Sequence, residues 1–168
     1  MRDLSLIETF KKFLEDYSPE QLTLILEPDV WSVGQMYDHL LVVANEYLDN
    51  AEACAAACPW PSQGKTDFGE YLFAIGGFPP VKIQLPPELN APPDNGKTKE
   101  ELTLALNHLL SRMKKTGCAA EHISPDAKME HGGFGWLNAQ EWVELVGMHF
   151  HHHLRQKYEL DQRLGVKP

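Results

Sequence analysis

Apolar side chains at Leu4, Leu6, Ile7, Phe10, Phe13, Leu14 and Tyr17 recur at the steps of one helical face, with charges opposite, and predict a first helix over 4–17. Ser18 before Pro19 reads as an N-cap with proline at the first helical position, so 20–26 is expected to form a short helical connector that Pro28 stops. A stronger start follows. Ser32 and Gln35 occupy the two positions of a capping box, and Trp31 and Met36 those of a hydrophobic staple. From there the stripe Met36, His39, Leu40, Val43 and Tyr47 predicts a long helix continuing through the alanine-rich 51–57 until Pro59. Thr98 and Glu101 repeat the box ahead of Leu102, Leu106, Leu109, Leu110 and Met113, with Gly117 as the expected stop. Asn138 and Glu141 open a last helix expected to reach Leu164, with Trp142, Leu145, Val146, His149, His153 and Leu160 on its inward face.

Two stretches break this pattern. From 59 to 96 the chain carries prolines at 59, 61, 79, 80, 86, 87, 92 and 93 and glycines at 64, 69, 76, 77 and 96, so regular structure is expected to be rare. So long a connection is read either as a surface excursion packed by its aromatics or as a lid or binding loop. Within it, Phe68, Tyr71, Leu72 and Ile75 can add a short helix over 67–75. The second stretch, 118–137, holds Pro125 and glycines 132, 133 and 135 and is also expected to be irregular. No internal repeat and no alternating strand pattern of any length is visible, whereas four amphipathic stretches are. The expected architecture is all-α: a four-helix bundle over 1–168 as a single domain, with a long irregular loop between the second and third bundle helices.

A chain of 168 residues suits one domain and one core, and 43% hydrophobic content is enough to fill it. The formal net charge of −9 argues against nucleic acid as a partner, since a backbone-driven binder needs a basic face. No apolar run approaches the roughly 18–20 residues of a membrane span; the best, 40–44, is cut by Asn45 and Glu46. The opening Met1, Arg2, Asp3 leads into amphipathic sequence with no signal-like apolar core, and a cytoplasmic location is expected. Three cysteines, Cys54, Cys58 and Cys118, do not make a disulfide framework and are read as reduced thiols. For Cys54 and Cys58, spaced by four, packing is the default reading.

The candidate chemistry lies on the inward stripes. His149 and His153, four apart, stand on one helix face one turn from each other and can grip the same ion, and His39 could supply a third ligand from a facing helix. Three neutral imidazoles leave coordination positions open for water or substrate, the pattern of a catalytic site. Zinc, nickel, iron and cobalt all accept such ligands. The competing reading is that buried histidines are hydrogen-bonded core residues, but three on inward stripes are costly to bury unpaired. His152 competes as a ligand if the helix is rotated, His151 is expected to face solvent, and His108, His122 and His131 are expected on the surface or in loops.

The run Trp31-Ser32-Val33-Gly34-Gln35-Met36-Tyr37-Asp38-His39-Leu40 resembles the Trp-x-x-x-(Glu/Gln)-x-x-x-His-Leu opening of the DinB/YfiT-like superfamily of metalloenzymes. Gly133-Phe134-Gly135-Trp136-Leu137-Asn138-Ala139-Gln140-Glu141-Trp142, leading into His149 and His153, is similar to one branch of it. The resemblance implies a DinB-like four-helix bundle, a divalent metal on His39, His149 and His153, and a homodimer. Characterised relatives in that superfamily include thiol transferases that use bacillithiol or mycothiol and a mycothiol-dependent maleylpyruvate isomerase, and its first members were damage-inducible. The 59–96 insertion and the Gly-Phe-Gly-Trp stretch depart from the better-studied members.

Three functions are weighed. The leading one is a metal-dependent enzyme acting on a small molecule, a thiol S-transferase with a low-molecular-weight thiol cosubstrate or a hydrolase, with Glu46 and Glu144 as carboxylates that orient a ligand or relay a proton. The second is a non-catalytic metal- or small-molecule-binding protein of a stress response. The third is an interaction module whose proline-rich loop recognises a partner.

Overall fold

Capping chemistry sets where the long helices begin. In a computed structural model, which describes residues 4–81, 86, 88 and 90–167, the Ser32 hydroxyl accepts the Gln35 amide N–H at 3.0 Å and the Gln35 side chain accepts the Ser32 amide at 3.0 Å. The same reciprocal pair joins Thr98 to Glu101 (3.1 and 2.8 Å) and Asn138 to Glu141 (3.0 and 2.9 Å). Each box satisfies two helix-end donors that would otherwise have no partner. The helices are α1 (Ser5–Glu15), α2 (Pro19–Thr23), α3 (Val33–Ala53), α4 (Asp67–Ile75), α5 (Lys99–Ala120) and α6 (Ala139–Leu164), with a 3-10 turn at Cys54–Ala56. The fold is thus mostly helical. None of these helices is long and apolar enough to cross a membrane. The signal reading of residues 1–3 and part of the 59–96 connection (82–85, 87 and 89) lie outside the described residues.

The core forms where α3 lies against α5 and α6 and α1 against the same two helices. Phe10, Leu14, Met36, Leu40, Leu48, Leu102, Leu106, Leu145 and Phe150 are among its fully enclosed side chains. Phe10 and Phe150 meet edge to face at 5.2 Å, tying α1 to α6. At the far end of α6, Lys157 and Asp161 are 2% and 3% exposed and paired at 2.6 Å; Tyr17 donates its hydroxyl to the same carboxylate, and the Lys157 amine lies 3.6 Å from the Phe13 ring centre.

Three expectations need correcting. Over 118–137 the chain is not wholly irregular: Lys128–His131 (β1) and Gly135–Asn138 (β2) pair antiparallel as a hairpin. Four-residue strands are too short for alternation to stand out, and this hairpin has outside support. The Trp136 amide donates to the Gly64 carbonyl at 3.1 Å, Thr66 donates to the Phe134 carbonyl at 2.9 Å, and Lys65 bridges to Gly135. A Cβ at Gly69, in the first turn of α4, would stand 2.2 Å from the Phe134 carbonyl oxygen, so only glycine lets α4 seat on the hairpin. Second, Gly117 does not stop α5, which runs to Ala120 with Gly117 buried in it; packing overrides the local preference. Third, packing holds for Cys54, buried with its thiol pushed up to about 11 by desolvation, but Cys58 is exposed. All three cysteines are free. The short helix read over 67–75 is α4, with a threonine cap, Thr66, and a left-handed glycine, Gly76, at its two ends.

Candidate metal centre

His39 comes from the second turn of α3, and His149 and His153 stand one turn apart on α6, the helix packed against it. Their Nε2 atoms converge. His39 Nε2 lies 3.0 Å and His153 Nε2 lies 3.1 Å from His149 Nε2. Three nitrogens about 2.0–2.1 Å from one tetrahedral centre would lie about 3.3 Å from each other, close to the two distances to His149, and the three ligand atoms all lie within 4.8 Å of one another. The three residues form a group that could hold a metal ion.

Hydrogen bonding alone does not satisfy this arrangement. His153 Nδ1–H donates to Gln156 Oε1 at 2.6 Å, which leaves a bare lone pair on its Nε2 and holds the ring in a ligand's tautomer. His149 is 7% exposed, and its Nδ1 meets no partner among the described residues. One proton on the His149 Nε2 could serve only one of its two Nε2 neighbours. A cation takes all three lone pairs at once. Burial pushes His39 and His153 down to about 4 and His149 well below the ordinary histidine range, the adjacent imidazoles adding to the last, so all three are neutral near pH 7. Neutral imidazole is the form that ligates.

Aromatic rings surround the cluster. Trp31 lies 4.9 Å from His39, which places it on the ligand rather than only in a staple with Met36. Tyr47 and Phe78 lie 6.0 and 6.1 Å from His149. Phe78 arrives from the segment after α4, where the Arg155 guanidinium donates to the Pro80 carbonyl at 2.9 Å. The later part of that connection docks at the start of α3: Gln35 donates to the Pro93 carbonyl at 3.1 Å, and Asp38, next to His39, accepts the Asp94 amide at 3.0 Å and pairs with Lys97.

The other expected residues fall as follows. His152 stays outside the Nε2 cluster, 5.2 Å from His153 and 5.4 Å from Phe78, ring to ring. His151, His108 and His122 are exposed. Glu46 on α3 and Glu144 on α6 are both exposed, and neither belongs to the ligand group. His131 is the residue the sequence reading missed, having been placed on the surface or in a loop. It ends β1 half-buried, stacked on Phe134 at 3.9 Å, and its Nδ1 accepts the amides of Gly133 and Phe134 at 3.0 and 3.2 Å. The signal available was an acceptor side chain two residues ahead of a glycine in a Gly-rich turn.

A family model described as the DinB superfamily matches residues 6–156, a span that contains all three histidines. No curated protein and no solved structure matches the chain.

Proposed function

The chain belongs to the DinB superfamily, and from that premise we propose that it is a metal-dependent enzyme of the DinB/YfiT-like type, a thiol S-transferase or hydrolase acting on a small molecule. The observation that carries this reading is the convergence of three neutral Nε2 lone pairs from two helices, with no protein carboxylate among them. His39, His149 and His153 would hold zinc, nickel or iron. An ion so held lowers the pKa of a bound thiol or water and supplies a nucleophile at neutral pH. His153 is oriented for this by Gln156, and Trp31, Tyr47 and Phe78 limit water around the cluster. Glu46 and Glu144 keep in this proposal the proton-relay role expected of them, and their exposure suits exchange with bulk water better than contact with an ion. The proposal places the site in a DinB-like four-helix bundle of one domain, in a cytoplasmic homodimer, with a low-molecular-weight thiol as cosubstrate.

The test is elemental analysis of untagged protein purified without nickel resin, followed by turnover of an electrophile with a cellular thiol. Near one equivalent of metal, lost in His39→Ala and His153→Ala, together with turnover abolished by chelator and restored by one metal, is the expected result. Glu46→Gln and Glu144→Gln should keep the metal and lower turnover. Metal without turnover would replace the enzyme by a non-catalytic binding protein, and no metal after reconstitution would overturn the reading altogether.

A further inference from the structure

Beside the histidine cluster, three side chains carry hydrogen-bond donors that meet no acceptor among the described residues, that of Trp142 being buried. The His131 Nδ1 is taken by two backbone amides, so the ring proton sits on Nε2 and points its donor away from the turn. Trp142 is 2% exposed, and its indole N–H finds no acceptor among the described residues. The Tyr47 hydroxyl likewise has no hydrogen bond among the described residues. The three rings are neighbours: Tyr47 to Trp142 is 5.8 Å, Tyr47 to His131 is 6.1 Å and His131 to Trp142 is 5.4 Å. Tyr47 is also the ring 6.0 Å from His149, so it links the donor group to the candidate metal position.

The buried Trp142 donor without an acceptor is costly, and such a group in a native protein calls for an explanation such as a ligand, with the half-buried Tyr47 and His131 beside it. We infer that Tyr47, His131 and Trp142 form a subsite for an oxygen acceptor, the carboxylate or carbonyl of a small organic substrate whose other end reaches the metal. This deepens the reading above and rests on it. Two further features fit. Three neutral imidazoles leave the full charge of a divalent ion uncompensated, which favours an anionic ligand beside it. Phe134, stacked on His131, and Phe78, 5.8 Å from Phe134 and 6.1 Å from His149, supply apolar contact for the body between the two ends. Burial raises the Tyr47 hydroxyl and lowers His131, so both remain uncharged donors at neutral pH.

The experiment uses the cobalt-substituted full-length protein and reads the thiolate-to-cobalt absorption band. Thiophenol and 4-mercaptobenzoate are titrated in turn; both offer a thiolate to the metal, and only the second carries a carboxylate. Wild type should bind 4-mercaptobenzoate about tenfold or more tightly than thiophenol, the value of a hydrogen bond to a charged group. Tyr47→Phe and His131→Asn should each shrink that advantage and leave thiophenol affinity unchanged. Asparagine at 131 offers an oxygen where Nδ1 accepts the turn amides and lacks the distal N–H, so the hairpin is kept. Equal affinity for the two thiols in wild type, or an advantage that survives both substitutions, would overturn the inference with the metal centre intact. A wild type that shows no cobalt band fails at the metal centre itself and takes the subsite with it.

Discussion

His149→Leu should make the metal-free protein more stable. His149 is 7% exposed, its Nδ1 has no partner, and its Nε2 faces two other ring nitrogens. An unsatisfied buried polar group costs about 1–3 kcal/mol, and one imidazole–imidazole hydrogen bond returns about 1. Leucine fills a similar volume against Tyr47 and Phe78, and its burial adds about 1.5–3 kcal/mol. These terms favour the variant by about 1.5–5 kcal/mol, at the low end roughly 3–6 °C in melting temperature for a chain of this size. Metal reverses the order. A ligand at one hundred times its dissociation constant stabilises the wild type by about 2.7 kcal/mol, and the variant has lost the ligand to which both other nitrogens point. Thermal melts of both proteins, in chelator and in metal, should therefore cross: variant above wild type without metal, variant unmoved by metal, wild type raised by it. A variant that melts below wild type in chelator would refute the reasoning, because it would make His149 a structural core residue.

Acid should destabilise the metal-free protein. His39 and His153 are held near 4 when folded and titrate near 6.5 when unfolded, so the unfolded chain binds more protons between those values. Their contribution is complete above about 6.5 and is lost as pH falls toward 4, so urea midpoints should drop through that window; a flat profile would contradict it. Lys157→Met should cost about 3–5 kcal/mol, since it strands the buried Asp161 carboxylate with Tyr17 alone, whereas Lys157→Met with Asp161→Leu should cost far less. Urea denaturation of the three proteins decides it, and a double variant as unstable as the single one would be the contrary result.

What could be read from the sequence was what depends on local chemistry. Ser32 with Gln35, Thr98 with Glu101 and Asn138 with Glu141 mark helix starts through bonds three residues apart, and α3, α5 and α6 begin beside them. The His149–His153 spacing and the inward position of His39 follow from helical periodicity in the same way. What was missed depends on distant partners. The β1–β2 hairpin is supported by Gly64 and Thr66, some seventy residues earlier, and that support puts His131 against Phe134 beside the site. Lys157 and Asp161 look like a solvated helix pair until α1 covers them with Tyr17 and Phe13. Glu46 follows His39 by one heptad, yet α3 buries a face centred on Leu40, Ala44 and Leu48 that leaves Glu46 outside.

Two of the three candidate ligands sit on one helix, and the third lies 110 residues from His149 in sequence though their nitrogens are 3.0 Å apart. An unfolded chain, or α6 alone, offers an ion only local histidines such as His149 and His153, without His39 held beside them. The full set forms after α3 has docked on α6, when the entropy of closing so long a loop has already been met. Interactions that form this late slow unfolding and leave the rate of folding nearly unchanged. A bound ion would therefore act as a latch on the finished protein, lengthening its lifetime under heat and proteolysis without hastening its assembly.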